Sequence, residues 1–432
     1  MKTKQIWMAA MLLSGAFYAN AQTTSAVESV LETGYGLQNG AINNTTSSTR
    51  GATFLGYRSG FNTTTKDIHG DNNTFIGHDS GLSNLAGHDN TFTGWNSGFG
   101  NNTGNFNTFL GSQSGGNNST GSGNSFVGAS SGNSNGSASN NTIMGYNSGF
   151  NNTANNSAFF GSHAGLSNTT GEGNVFIGSS AGYSNTEGEG NNFIGLMSGY
   201  NNTTGSFNVM LGYQTGVTTN ANANTFIGHG SGYTNVTGYG NTYLGFFSGF
   251  NATGHSNVFI GNGAGKNETG SNKLVISNSD TSTPIIYGDF SAAKVGIGGI
   301  NTFPTTAGGV NVSAYSLFVK GGILTEEVRV NLQSGWADYV FAYDYKLRPL
   351  AEVEKYIAEN GHLPNVPSAK QVKKEGIELG DMARIQQEKI EELTLYAIAQ
   401  DKQITEQNKK LEQQQKEIDE LKAAVKTLAN KQ

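Results

Sequence analysis

One phrase of about seventeen residues recurs thirteen times between Thr53 and Gly265, and this periodicity limits the fold more than any other feature. The phrase reads Asn-Thr-Phe-Ile-Gly-x-x-Ser-Gly-aromatic and continues with Asn-x-Thr-Gly. A repeat this short cannot bury its apolar side chains alone, so it must stack against its neighbours. The sequence therefore predicts a mainly β fold, with a parallel β-solenoid of thirteen coils over residues 52–278.

The repeats align column by column. A first glycine recurs every 16 or 17 residues after one longer step of 21, and a second glycine follows four residues later. An aromatic or large apolar residue stands two places before the first glycine, and Leu, Ile or Val usually precedes it directly. We predict that both apolar columns carry the core. The predicted core residues include Phe75, Phe109, Phe126, Phe176, Phe193 and Phe226.

Asparagine opens eleven of the thirteen phrases, as at Asn174, Asn191 and Asn208. Identical amides stacked at the spacing of neighbouring strands can bond to one another and to the backbone. We predict that these asparagines form a ladder. A calcium-binding β-roll would need aspartate in each repeat instead.

Each phrase is predicted to form a strand of four or five residues, a turn, a second short extended piece that starts at an aromatic such as Phe61 or Tyr200, and a return loop. Neighbouring strand residues point to opposite faces, so the Phe and the Ile of one phrase cannot both enter the same coil. One of these columns needs a partner outside the coil. We therefore predict intertwined or laterally packed chains, most simply three around one axis.

The phrase resembles the head repeat of trimeric autotransporter adhesins over roughly residues 52–278. The resemblance implies a β-roll head, a homotrimer and an adhesive role. The period is longer than that family's, which leaves an extended return loop or a different cross-section open. We expect no membrane β-barrel anchor of the family's kind.

The amino-terminal residues have the pattern of an export signal. Lys2 and Lys4 precede an apolar run, and Ala19-Asn20-Ala21 before Gln22 fits a signal-peptidase site. We predict a signal peptide over residues 1–21, then a linker over 22–51. The alternative, an uncleaved membrane anchor, needs a longer apolar stretch. The protein is expected to be extracellular or on the outer surface of a Gram-negative bacterium, with no transmembrane segment after signal removal.

Composition excludes several function classes. The 432 residues include no cysteine, so disulfides and thiolate metal sites are excluded. The formal net charge of -6 argues against a nucleic-acid partner. No cofactor is expected.

After the repeats, residues 279–335 are predicted to form a small neck of short strands. Segments 284–288, 294–298, 315–320 and 327–330 have the apolar or alternating pattern of strands. The last two are expected to pair with each other.

Residues 336–378 are predicted to form a small helical module. Pro349 suits the start of a helix that ends at Gly361, and a second helix is expected between Ser368 and Gly376. The stretch from Trp336 to Tyr396 is similar to the carboxy-terminal regions of bacterial tail-fibre-like proteins, which implies a trimerisation role. Some of those relatives cleave themselves, but Ser334 lacks the residues that complete their motif.

The final segment, residues 379–432, keeps one heptad register over six heptads and predicts a coiled coil of about 75 Å. Glutamine occupies three successive d positions, at Gln400, Gln407 and Gln414. Isoleucine at the a positions with leucine at the d positions also suits a coiled coil of two chains, so this segment does not fix the number of chains. The predicted oligomerisation residues are Ile390, Leu393, Ile404, Leu411, Ile418, Leu421, Val425 and Leu428.

The few charged residues of the repeats do not predict an active site. Three aspartates, Asp71, Asp79 and Asp89, lie near three histidines, but solvated loops explain this pattern more simply than a metal site. About half of the repeats carry an aromatic residue after the second glycine, as at Tyr183. These aromatic residues form either a ladder packed within a trimer or a stripe that binds glycans.

The sequence thus predicts a secreted fibrous protein, adhesin-like or structural, without catalytic activity. Its expected partner is itself, as a homotrimer, with a glycan or another cell-surface ligand as a further candidate. Two other functions remain open, a carbohydrate-binding or tail-spike-like glycan-acting protein and an amyloid-like matrix subunit.

Overall fold

The computed structural model describes residues 33–35, 51–63, 71–331 and 335–430. The predicted signal peptide lies outside these residues. The chain divides into a first unit, residues 1–303 with 316–321, and a second unit, residues 304–315 with 322–432.

The first unit is a parallel β-solenoid of about thirteen turns. Each strand is shorter than predicted, at three residues, because the first glycine of the phrase directly follows it. Strand β1 adds one rung within the segment predicted to be a linker. Strands β1 to β14 pair in chain order and span Thr33–Tyr35, Thr53–Leu55, Thr74–Ile76, Thr91–Thr93, Thr108–Leu110, Ser125–Val127, Thr142–Met144, Ala158–Phe160, Val175–Ile177, Asn192–Ile194, Val209–Leu211, Thr225–Ile227, Thr242–Leu244 and Val258–Ile260.

The middle residue of the strands β2 to β14 points inward and forms one stack along the solenoid. The ring centroids of Phe75 and Phe92 lie 4.7 Å apart with an interplanar angle of 6°, so the rings stack at the spacing of the strands. Ile143 and Met210 continue the column where no aromatic stands. The six predicted core phenylalanines are all fully buried: Phe75, Phe109, Phe126, Phe176, Phe193 and Phe226.

Two glycines per coil make this stack fit. A Cβ atom on Gly77 would lie 2.4 Å from the carbonyl oxygen of Gly94 in the next coil, and the φ of Gly77 is 135°. A Cβ atom on Gly81 would lie 2.5 Å from the ring of Phe75. Both positions therefore exclude any side chain, and the aromatic after the second glycine lies in a turn instead of the predicted extended piece.

The asparagine that precedes eleven of the strands β3 to β14 forms a buried ladder. Asn191 donates its backbone N–H to Oδ1 of Asn174 at 2.8 Å and its Nδ2 to the carbonyl of Gly205 at 2.8 Å. Asn208 repeats the pattern, because its backbone N–H donates to Oδ1 of Asn191 at 3.0 Å. These amides link neighbouring coils and have hydrogen-bond partners for their own polar atoms, except for Nδ2 of Asn224.

A second asparagine ladder runs through the return loops, which the sequence does not reveal as buried. Asn185 donates its Nδ2 to Oδ1 of Asn168 at 2.6 Å and to the carbonyl of Gly188 at 3.0 Å. Its own Oδ1 accepts from Asn202 at 2.7 Å. All three asparagines are fully buried, so the interior consists of an apolar stack with amide ladders beside it.

The solenoid ends in a small antiparallel addition. Strand β15 (Lys273–Ile276) pairs in parallel with β14, β16 (Ile286–Asp289) runs antiparallel to β15, and β17 (Lys294–Ile297) antiparallel to β16. The strand β20 (Leu317–Val319) pairs in parallel with β17. It does not pair with residues 327–330. The prediction of a strand there is wrong, because this segment pairs with no other segment that the structure describes and stays exposed.

The second unit contains a short hairpin and four helical segments. The hairpin consists of β18 (Thr306–Ala307) and β19 (Val310–Asn311), and a 3-10 helix spans Ala337–Phe341. Helix α1 spans Leu350–Asn360, α2 Ala369–Glu375 and α3 Leu379–Ala429. Gly361 ends α1 in a left-handed conformation and Ser368 caps α2 through the N–H of Gln371, as the sequence predicts.

The buried asparagine ladder makes a stability prediction. Asn185→Asp replaces a donor that makes two hydrogen bonds with a carboxylate oxygen and buries a charge, so the free energy of unfolding should fall by about 3 kcal/mol or more. Asn201→Asp is the control, since Asn201 is exposed beside the ladder residue Asn202, and it should change stability by less than about 0.5 kcal/mol. Denaturant unfolding measures both, and equal effects would contradict the ladder.

The ion pair at the end of the solenoid makes a pH prediction. Lys273 donates to Asp289 at 2.6 Å, and this bond, with one from the Ser291 hydroxyl, lowers the pKa of Asp289 to about 2. A depressed carboxyl pKa stabilises the fold above the unfolded pKa of about 4 and loses that contribution as the pH falls towards 2. The advantage of the wild-type protein over Asp289→Asn should therefore shrink by about 2 kcal/mol between pH 4 and pH 2. A pH-independent difference in unfolding free energy would refute this.

Candidate functional site

The outward side of the strands presents an apolar column. Strand residues alternate, so the Ile, Leu or Val beside the inward Phe faces out. Leu110, Leu211 and Leu244 expose 49%, 43% and 45% of their surface. Within one chain, the prediction that both apolar columns enter the core is therefore wrong. The prediction that one of the two columns faces away from the coil is confirmed. Contiguous apolar surface of this kind marks an interaction site.

The aromatic after the second glycine lies between the interior and the surface. The rings of Tyr183 and Tyr200 stack at 4.9 Å with an interplanar angle of 11°, and those of Tyr233 and Phe250 do the same. All four rings are half-buried. The predicted aromatic stripe therefore consists, in one chain, of short segments of stacked rings on the surface.

The densest aromatic surface of the solenoid lies near its carboxy-terminal end, and we name it the aromatic cluster. The ring of His229 lies 4.9 Å from Tyr213 and 5.0 Å from both Phe246 and Phe247. Phe247 contacts Phe250 at 4.9 Å. The cluster comprises Tyr213, His229, Tyr233, Phe246, Phe247 and Phe250, of which Tyr213 and Phe246 are the most exposed.

Phe247 occupies a backbone conformation that bulky residues avoid. Its φ is 52°, in the left-handed region. Two further phenylalanines, Phe106 and Phe207, have φ values of 57° and 60° and expose 63% and 61% of their surface. The column of Phe207 otherwise holds mostly Asn, Gly, Asp and Ser, which accept this conformation easily.

A polar cleft of ≈ 380 Å³ adjoins the aromatic cluster through Lys266. The Lys266 ammonium lies 5.9 Å from the ring centroid of Phe247 and 3.9 Å from Oδ2 of Asp280. Asn267 also donates to Oδ2 of Asp280, at 3.1 Å. The cleft is lined further by Glu268, Thr281, Ser282 and Asn301, so it offers both donors and acceptors.

In the second unit, all eight predicted oligomerisation residues lie exposed on helix α3. Their exposed fractions range from 45% at Ile418 to 68% at Leu428. Every residue from 397 to 430 is exposed, so this half of α3 packs against no other described part of its unit. The residues are Ile390, Leu393, Ile404, Leu411, Ile418, Leu421, Val425 and Leu428.

The first turns of α3 are anchored by buried carboxylates. The Tyr339 hydroxyl donates to Glu388, and Lys389 bridges Glu388 and Glu392 at 2.8 Å and 2.7 Å. Burial opposes ionisation of Glu388, but bonds from Lys389, Tyr339 and Asn365 outweigh it and hold the Glu388 pKa below its usual range. These bonds fix the base of the helix, so we interpret this group of charged residues as structural.

The aspartate and histidine enrichment at the start of the solenoid does not converge. Asp79 pairs with Arg58, whose Nε donates at 2.7 Å, while Asp89 contacts His88 and Asn72. Among the described residues, no group of three or more His, Cys, Asp or Glu could hold a metal ion. His69, part of the predicted enrichment, lies outside them.

Comparison with known proteins gives no relative. No protein-family model, no curated protein and no solved structure matches this chain. Within the described part of the chain, no helix is both long and apolar enough to cross a membrane.

Sequence reasoning missed most of the aromatic cluster. Tyr233 and Phe250 belong to the predicted stripe, but Tyr213, His229 and Phe247 fall in other columns. A signal was present, because among the thirteen repeats Phe247 is the one phenylalanine in its column.

The left-handed phenylalanines make a stability prediction. Phe207→Asn should raise the free energy of unfolding by about 1 kcal/mol, because asparagine accepts φ near 60° at lower cost and little buried surface is lost. The reverse change in the same column, Asn140→Phe, should lower it by a similar amount. Denaturation midpoints measure both, and a destabilised Phe207→Asn would show that the ring is held by favourable packing.

Proposed function

We propose that the protein is an exported, non-catalytic surface protein that assembles with two further copies of itself and serves adhesion or structural display. The observation that carries the proposal is the exposed apolar stripe of α3. A helix that long is stable in water only when its apolar stripe is covered. Apolar residues in one heptad register fit the same stripe on another copy of the helix.

The solenoid offers a second surface for assembly. Its outward column is apolar in the strands β2 to β14 except β4, where Thr93 stands, so a parallel neighbour in register can cover it. The adhesin-like repeat and the tail-fibre-like stretch over residues 336–396 both resemble trimeric proteins. The proposed setting is the extracellular space or the outer surface of a Gram-negative bacterium.

Light scattering of the mature chain, residues 22–432, tests the assembly. The wild-type protein should have the mass of three chains. The double variant Ile418→Asp/Leu421→Asp places charge in the stripe and should lower the mass or weaken the assembly on dilution. The matched control Lys416→Asp/Ala423→Asp changes positions on the opposite side of the helix and should keep three chains.

The masses of these variants distinguish assembly through the solenoid from assembly through α3. Three chains in the stripe variant would assign assembly to the solenoid, and loss of assembly in that variant alone would assign it to α3. A monomeric wild-type protein would refute the proposal as a whole.

A further inference from the structure

We infer that the aromatic cluster and the adjoining polar cleft together form a binding site for a neutral glycan chain. This inference names a ligand for the adhesive role proposed above and rests on it. Both parts of the site belong to the solenoid unit, and Lys266 contacts both of them.

The turn of each coil places the residue two positions after the first glycine in the left-handed region. Phe247 has φ 52°, and the other members of its column are left-handed as well, among them Asn96, Ser130 and Met197. The fold therefore requires this backbone conformation, whereas among the thirteen repeats a phenylalanine ring at this position occurs in this coil alone.

The neighbouring coil is adapted to this phenylalanine. A Cβ atom on Gly230 would lie 2.5 Å from Cδ1 and Cε1 of Phe247, so one edge of the ring packs against a glycine of the preceding coil. The next side chain, His229, contacts the same ring and that of Phe246. Residues of two coils therefore hold the ring in place, with its neighbour Phe246 exposed by 45%.

A rigid array of partly exposed rings suits a sugar chain. The apolar C–H faces of pyranose rings pack on aromatic faces, and Tyr or Phe supplies this area at low entropic cost. Rings on successive coils recur at about the 4.8 Å strand spacing, which is close to the length of one sugar unit. An extended glycan can therefore follow the coils.

The cleft supplies the hydrogen bonds that a sugar needs. Hydroxyl groups are recognised by amides, hydroxyls and carboxylates, and the cleft presents Asn267, Asn301, Thr281 and Ser282 with two carboxylates. Its ionic groups are Lys266, Asp280 and Glu268, which leaves an excess of one negative charge. That excess disfavours acidic sugars and selects a neutral chain.

Affinity electrophoresis of the full mature protein tests the site. The gels contain one of three soluble neutral polysaccharides, a mixed-linkage β-glucan, a galactomannan or an arabinoxylan, with polygalacturonate as the anionic comparator. At least one neutral polysaccharide should retard the wild-type protein. Phe247→Asn should weaken that retardation at least tenfold, measured as the dissociation constant.

Two controls separate binding from folding and assembly. Phe207→Asn removes another exposed left-handed phenylalanine from outside the cluster and should bind like the wild type. Asparagine suits the backbone at 247, so Phe247→Asn should keep its thermal midpoint or raise it. Its mass by light scattering should equal that of the wild type.

Several results would overturn the inference. These are no retardation by any neutral polysaccharide, retardation by polygalacturonate alone, and unchanged binding by Phe247→Asn. Loss of assembly in Phe247→Asn would also overturn it and assign the cluster to contacts between copies of the chain. Failure of glycan binding in a protein that still assembles would leave the proposed assembly standing.

Discussion

Stacking of identical side chains in register, one coil above the next, is the constraint on which the solenoid depends. Most coils place the same kind of group at each inward position, so rings stack on rings and amides bond to amides, with exceptions such as Ile143 and Met210 in the ring column. The glycines that flank the stack admit no side chain, because a Cβ atom would meet the neighbouring coil or the ring. Apolar stacking and satisfied buried amides thus reinforce each other.

Because the interior is filled by a single chain, the outward positions are free to differ between coils. Neighbouring coils present Tyr213, His229 and Phe246 in the same outward column, whereas other coils present serine or alanine there. The aromatic cluster is one such local difference, where the rings of neighbouring coils and a polar cleft meet within a few coils.

The second unit is held together by different interactions from those of the solenoid. Its 3-10 helix and the buried carboxylates Glu388 and Glu391 fix the base of α3, while the rest of the helix offers its apolar stripe to solvent. The solenoid satisfies its own backbone through neighbouring coils. Residues 397–430 of α3 instead pack against no other described part of their unit, so their apolar side chains stay exposed in a single chain.

The repeat in the sequence was sufficient to predict the solenoid, its turns and the inward Phe and Asn columns, and the heptad register was sufficient to predict the long helix, because period and alternation are properties of the chain itself. The helix boundaries at Gly361 and Ser368 also followed from local capping. Only the tertiary structure decided that the Ile column faces outward, that Asn185 is buried, and that Phe247 joins rings from two other columns. These depend on which residues meet across coils, and spacing along the chain does not specify the cross-section of a coil.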